Sequence, residues 1–175
     1  QDSQLENLSY YNNAVYKVTT PAAEVYTLRL HHPGHKRFEW IRSELYWLTH
    51  LRLTTSLLVP QPVPTRSGTS LGEAQVEDIA QPLPCALFHW LEGHFYGTPD
   101  MDSQHIHQAG IFLAQLHQAA SAFHTPPDFT RPRLDWEGLF GEESPYNPGD
   151  GAKIFTDEQK AVFAAVEERV RDTMI

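Results

Sequence analysis

In "AEVYTLRLHHPGHKRFEWIRSELYWLTHL", residues 23–51, one cation and one carboxylate stand inside otherwise apolar runs: Arg29 in a strand-like alternation and Glu44 in a helix-like one. These two residue types do electrostatic work without covalent chemistry. A guanidinium neutralises charge on an anionic ligand, and a carboxylate brought beside it holds it through a charge-assisted hydrogen bond. The opposing reading is structural. A strand arginine can lay its stem over its neighbours, and a helix-edge glutamate paired with Arg37, or with nothing, contributes roughly 0–1 kcal/mol. The choice turns on whether the fold brings two positions fifteen residues apart face to face.

The elements that must position them are legible from periodicity. "NAVYKVTT" and "EVYTLRL" alternate with period two around "TTPAAE", whose proline suits a turn, so an antiparallel hairpin is expected. Val25, Thr27 and Arg29 then share the more polar face, directed to a cleft or solvent, and Tyr26, Leu28 and Leu30 the other. From about Lys36 to Leu51 the period becomes helical. Ile41, Leu45, Leu48 and Leu51 form a stripe widened by Trp40 and Trp47, with Glu44 at its margin. "PVPT" and "EAQVEDI" read as short strands around the turn "TRSGTS", and "CALFHWL" as a further, mostly buried strand. Residues 1–91 are thus a small sheet of about five strands interrupted by one helix.

Beyond residue 91 the character becomes helical. "MDSQHIHQAGIFLAQLHQAASAF" sets Ile106, Gly110, Leu113, Leu116 and Ala120 on one stripe behind Asp102 or Ser103 as cap. "TDEQKAVFAAVEERVRDTMI" is a final amphipathic helix capped by Thr156, with Glu158 giving a partial capping pattern. The intervening proline-rich segment is irregular, and "DWEGLFG" within it reads as a turn or a substrate-side loop.

Composition excludes several classes of function. The chain of 175 residues is 41% hydrophobic, enough to fill a core. Its formal charge of -9, with 13 Lys and Arg spread along it, is the wrong footprint for nucleic acid. No apolar run approaches the roughly 20 residues of a membrane span, and the polar start lacks the apolar segment of a secretory signal. With Cys85 as the one cysteine, a cytoplasmic location is expected. Nothing specifies an oligomeric state. The histidines of "HHPGH" (His31, His32, His35) and the pair His105 and His107 lack both the i, i+4 spacing with a nearby Glu and the cysteine partners of a zinc site. No metal ligand is expected among them. His89 and His117 read as structural.

The order "NNAVYKVTT…YTLRLHHPG…IRSELYWLTHL…VPQPVPT…ALFHWLEG…AGIFLAQLHQA" resembles the aminoglycoside phosphotransferase and choline kinase-like family, which shares the protein kinase fold. The resemblance implies an α+β, protein kinase-like chain: a nucleotide-binding lobe over residues 1–91, then the hinge exit and the first part of a helical lobe over residues 92–175. It implies an ATP-dependent phosphotransferase acting on a hydroxyl of a small molecule or a protein, with ATP and Mg²⁺ as cofactors. Arg29 falls where the family carries a strand Lys or Arg, and Glu44 at its helix partner. "FHWLE" becomes the hinge against which adenine packs, and Ser9 to Asn13 the loop over the phosphates. Nucleotide-binding residues are then Arg29, Glu44, Asn13, Val15, Phe88, Trp90 and Leu91, with Leu28 also against the adenine ring.

Two departures shape the expectation. "SYYNN" contains no glycine, so it does not approach phosphates as a Gly-rich loop does. No "HGD", "HxD" or "DFD" occurs, so no catalytic residue and no metal ligand is assigned in these residues. The Mg²⁺ ligands and catalytic base are expected downstream of Ile175, the piece alone being inactive; the alternative is a non-catalytic, pseudokinase-like nucleotide-binding or regulatory module.

Overall fold

The structure, a computed structural model, describes residues 2–11, 13–32, 37–93, 101–141, 144 and 154–174. Five antiparallel strands, β1 (Gln4–Tyr10), β2 (Asn13–Thr19), β3 (Val25–His31), β4 (Gly72–Ala74) and β5 (Leu83–His89), form one sheet in the order β1-β2-β3-β5-β4. The β2–β3 hairpin pairs along its whole length, from Asn13 opposite His31 to Thr19 opposite Val25. Its turn closes through Ala23 N donating to Thr20 O at 2.9 Å, with Pro21 presetting the bend.

The sheet has the expected number of strands but not the expected set. "PVPT" is not a strand: its two prolines have no N–H to give, and only a single bridge between Pro62 and Phe88 joins it to β5. "EAQVEDI" pairs only through β4, because the chain turns away through Asp78, whose φ is 66°. The fifth strand is β1, read from sequence only as a polar start. It is exposed throughout, as an edge strand with neither face covered is, and so carries no alternating signature.

Helix α1 (Phe38–Thr54) lies on the sheet face that carries Arg29. It runs a turn beyond the expected Leu51; Lys36, its expected start, lies outside the described residues. Ile41 and Leu45 pack on Ala86 and Phe88 of β5, with Leu48 and Leu71 beside them. Ile41, Leu45 and Phe88, the large buried side chains of this cluster, each contribute about 1.5–3 kcal/mol when removed from water. The face of Arg29 is therefore the covered one, contrary to its polar reading in β3 alone, because β5 supplies the apolar residues of that face.

Helix α2 (Ser103–Ser121) is capped by Asp102, whose carboxylate accepts from the N–H groups of Gln104 (2.9 Å) and His105 (3.0 Å). These bonds, that from His105 foremost, hold its carboxyl below the usual carboxylate range. Its core contact is narrower than the expected stripe. Ala119 is buried with Leu51, Leu57 and Val59 and Leu116 packs beside them, whereas Ile106, Gly110, Leu113 and Ala120 are exposed.

The chain divides into two compact units, residues 1–130 and 131–175. In the second, "DWEGLFG" forms a short helix α3 (Trp136–Phe140) capped by Asp135, and helix α4 (Asp157–Met174) follows. Thr156 does cap α4, but the reciprocal partner is Gln159 rather than Glu158: Gln159 N donates to Thr156 Oγ1 (3.3 Å), and Thr156 N to Gln159 Oε1 (2.9 Å). A capping box needs the third helical residue to reach back, and Glu158 is the second.

Candidate nucleotide site

Arg29 sits on β3, the middle strand, opposite Val15 of β2 and Ala86 of β5. With period two, its side chain leaves the sheet toward α1. Glu44 lies on the margin of the α1 stripe that Ile41 and Leu45 press onto the sheet, so burial of those two brings the carboxylate over the arginine. The contact is an ion pair of 2.7 Å between Arg29 Nη2 and Glu44 Oε1, with the side chains 19% and 20% exposed. Fold, not proximity in sequence, makes the pair.

The arginine is held on a second side. Its guanidinium lies 5.0 Å from the centroid of the Phe88 ring, two residue pairs along the sheet on the same face. Its Nε is shielded from water and has no hydrogen-bond partner among the described residues. A buried guanidinium N–H without an acceptor costs free energy that an incoming anionic oxygen can recover.

The pair forms one wall of a recess of about 340 Å³ lined by Val15, Thr27, Arg29, Glu44, Leu48, Pro60, Phe88, His89 and Leu91. Of the residues expected around a nucleotide, five converge here: Arg29, Glu44, Val15, Phe88 and Leu91. Asn13 and Trp90 do not line it. Asn13 is placed opposite His31, with its Oδ1 buried and unpartnered among the described residues. Trp90 instead lies under Lys17, whose Nζ is 5.0 Å from its ring. Leu28 belongs to the opposite face of β3, paired with Tyr16 and Leu87, so it cannot join the recess. Within the expected phosphate loop, Ser9, Tyr10 and Tyr11 are exposed and Asn12 lies outside the described residues.

Thr27, Leu48, Pro60 and His89 line the recess without having been expected there. Thr27 and Leu48 were recoverable from periodicity, Thr27 as the residue before Arg29 on its face and Leu48 as one helical turn after Glu44. Pro60 and His89 were not, since their placement depends on the strap of residues 60–63 running along β5. His89 N donates to Gln61 O at 3.0 Å, and Val63 N to Leu87 O at 2.8 Å.

Among the described residues no three His, Cys, Asp or Glu side chains converge as a metal would need. His35 lies outside them. Among the described residues Glu44 is the one carboxylate lining the recess and is engaged by Arg29, whereas Mg²⁺ takes a near-octahedral set of oxygens. The recess does not fit a magnesium site. Among the described residues, no helix is long and apolar enough to cross a membrane.

A small antiparallel sheet of five strands with one helix on its face, followed by further helices, is the fold of protein kinase-like phosphotransferases. The chain belongs to the phosphotransferase enzyme family, whose model matches residues 5–172. It is 33% identical over 81 residues to a homoserine kinase of Bartonella tribocorum, a match covering 46% of this chain and 23% of that protein. Among solved structures it is similar to a microcompartment-associated aminopropanol kinase, with a TM-score of 0.74 and 24% identity over 95% of this chain and 50% of that one. It is equally similar in fold to the amicoumacin kinase hAmiN in complex with AMP-PNP, Ca²⁺ and Ami, with a TM-score of 0.74 and 18% identity over 97% of this chain and 48% of that one. The chain spans about half the length of the solved kinases it matches.

Proposed function

We propose that this chain supplies the nucleotide-positioning part of an ATP-dependent phosphotransferase that acts on a hydroxyl of a small molecule. The observation that carries the reading is the 2.7 Å pair of Arg29 and Glu44 on the wall of an apolar recess, with Arg29 Nε lacking an acceptor among the described residues. Phosphoryl transfer asks a protein mainly to position the triphosphate and neutralise its charge. Arg29 donates to phosphate oxygens, and Glu44 fixes the guanidinium so that its fork is aimed before the ligand arrives.

The purine ring packs against Val15, Leu48, Phe88 and Leu91, with hinge backbone at Trp90 and Leu91 reading its edge. The nucleotide-binding lobe then comprises residues 1–91, and the helical part begins at the hinge exit. Mg²⁺ chemistry is implied by the family, but the recess holds no donor set for it, and these residues abstract no proton. Their role is binding and orientation.

The test is a titration of the full-length protein with a fluorescent ATP analogue, followed by phosphate transfer to small hydroxyl acceptors, homoserine and aminopropanol among them. Saturable binding that ATP displaces and Arg29→Met weakens, followed by transfer, is the expected result. No binding overturns the reading. Binding without transfer to any acceptor points to the pseudokinase-like alternative.

A further inference from the structure

Helix α1 is gripped on the side opposite the sheet by the segment that follows α2, residues 122–130. Ser43, fully buried, donates to Glu39 O (2.8 Å) and accepts from Thr130 N (2.8 Å), joining positions 87 residues apart. Asp128 Oδ2 receives two donors from α1, Arg42 Nη2 at 3.1 Å and Tyr46 Oη at 3.3 Å. Phe123 packs its ring on Trp47 (5.1 Å) and His50 (4.7 Å), and Phe129 meets Phe123 edge-on at 5.3 Å. At about 100° per residue, positions 42, 43, 46, 47 and 50 form one continuous stripe, and Ile41, Glu44, Leu45 and Leu48 lie around the other side of the helix. The helix that carries Glu44 is thus clasped between the sheet and the segment 122–130.

We propose that Asp128 is a positioning residue for the nucleotide site: by tying Arg42 and Tyr46 it holds α1 at the height and rotation that keep Glu44 on Arg29. The inference rests on the reading of Arg29 and Glu44 as the nucleotide-orienting pair. Apart from the Glu44–Arg29 pair itself, the sheet contacts of α1 are apolar, and dispersion between Ile41, Leu45 and Phe88 has no preferred direction along the helix axis. Hydrogen bonds to a single carboxylate from residues one turn apart do not tolerate sliding along it. A helix free to shift populates states without the Glu44 contact, and apparent affinity falls by the fraction that remains competent.

The experiment is a double-mutant cycle in the full-length protein, read as Kd for AMP-PNP with a thermal melt alongside. Asp128 is partly exposed, so Asp128→Ala is expected to fold. The expected result is that Asp128→Ala raises Kd about fivefold, equivalent to about 1 kcal/mol, with Asp128→Glu largely restoring it. In a Glu44→Gln background the same change should have no further effect, since Asp128 acts through Glu44. An unchanged Kd, or equal fold-losses in both backgrounds, overturns the positioning role even if Tm falls. If Arg29→Met and Glu44→Gln leave Kd unaltered, the nucleotide reading itself fails, an outcome distinct from failure of Asp128 alone.

Discussion

Replacing both members of the ion pair by apolar residues of similar reach, Arg29→Met with Glu44→Leu, separates ligand binding from folding. At 2.7 Å and an effective dielectric of about 20, the gross attraction is about 6 kcal/mol. Each ion, roughly four-fifths removed from water, also loses several kcal/mol of hydration, so that the net contribution of the pair to stability is near zero. The double variant is expected to melt within about 5 °C of wild type. Arg29→Met alone strands Glu44 and is expected to cost about 2–3 kcal/mol. Nucleotide affinity responds differently. Loss of one charge-assisted bond to a phosphate oxygen removes about 1.5–3 kcal/mol, which raises Kd by about 10-fold to 150-fold. Titration with a fluorescent ATP analogue and a thermal melt on the same preparation give both numbers. A double variant that binds with wild-type Kd refutes the phosphate role, and one that loses affinity only because it unfolds refutes the energetic reasoning.

Two further expectations test the scaffold. Ile41→Ala, at a fully buried position among Leu45, Ala86 and Phe88, should lower stability by about 2–5 kcal/mol in urea denaturation, and a loss below about 1 kcal/mol would contradict the packing of α1 on β5. Asp102 has a carboxyl pKa lowered below 3.8 in the folded chain, so its cap is fully present above that pH and is lost as pH falls through the depressed value. Asp102→Asn, which caps without titrating, should therefore shallow the fall in α2 stability below about pH 4, measured by circular dichroism; identical acid profiles would contradict the cap.

The helical stripe of α1 was legible because Ile41, Leu45 and Leu51 are buried at helical spacing, whereas β2 and β3 were legible from their residue types around the Pro21 turn, both being half-buried along nearly their whole length. Arg29 and Glu44 stood out as charges interrupting an apolar pattern. Strand β1 was not legible, since an edge strand exposed on both faces has no period to show. "PVPT" misled because β-favouring valine was counted while the missing N–H groups of Pro62 and Pro64 were not. Trp90 was placed by its position in the hinge motif, but its ring lies against Lys17 and does not line the recess.

By itself the sequence determined the strands β2, β3 and β5, the helix α1 with its apolar stripe, and that one cation and one carboxylate fell at exceptional places in them. Tertiary structure alone decided that the pair meets. Packing Ile41 and Leu45 onto Ala86 and Phe88 joins residues more than forty positions apart, and it sets the rotation of α1 that puts Glu44 at 2.7 Å from Arg29. The contact of Asp128 and Thr130 with α1 is likewise invisible in the chain, because a hydrogen bond across 87 residues leaves no local pattern in either segment.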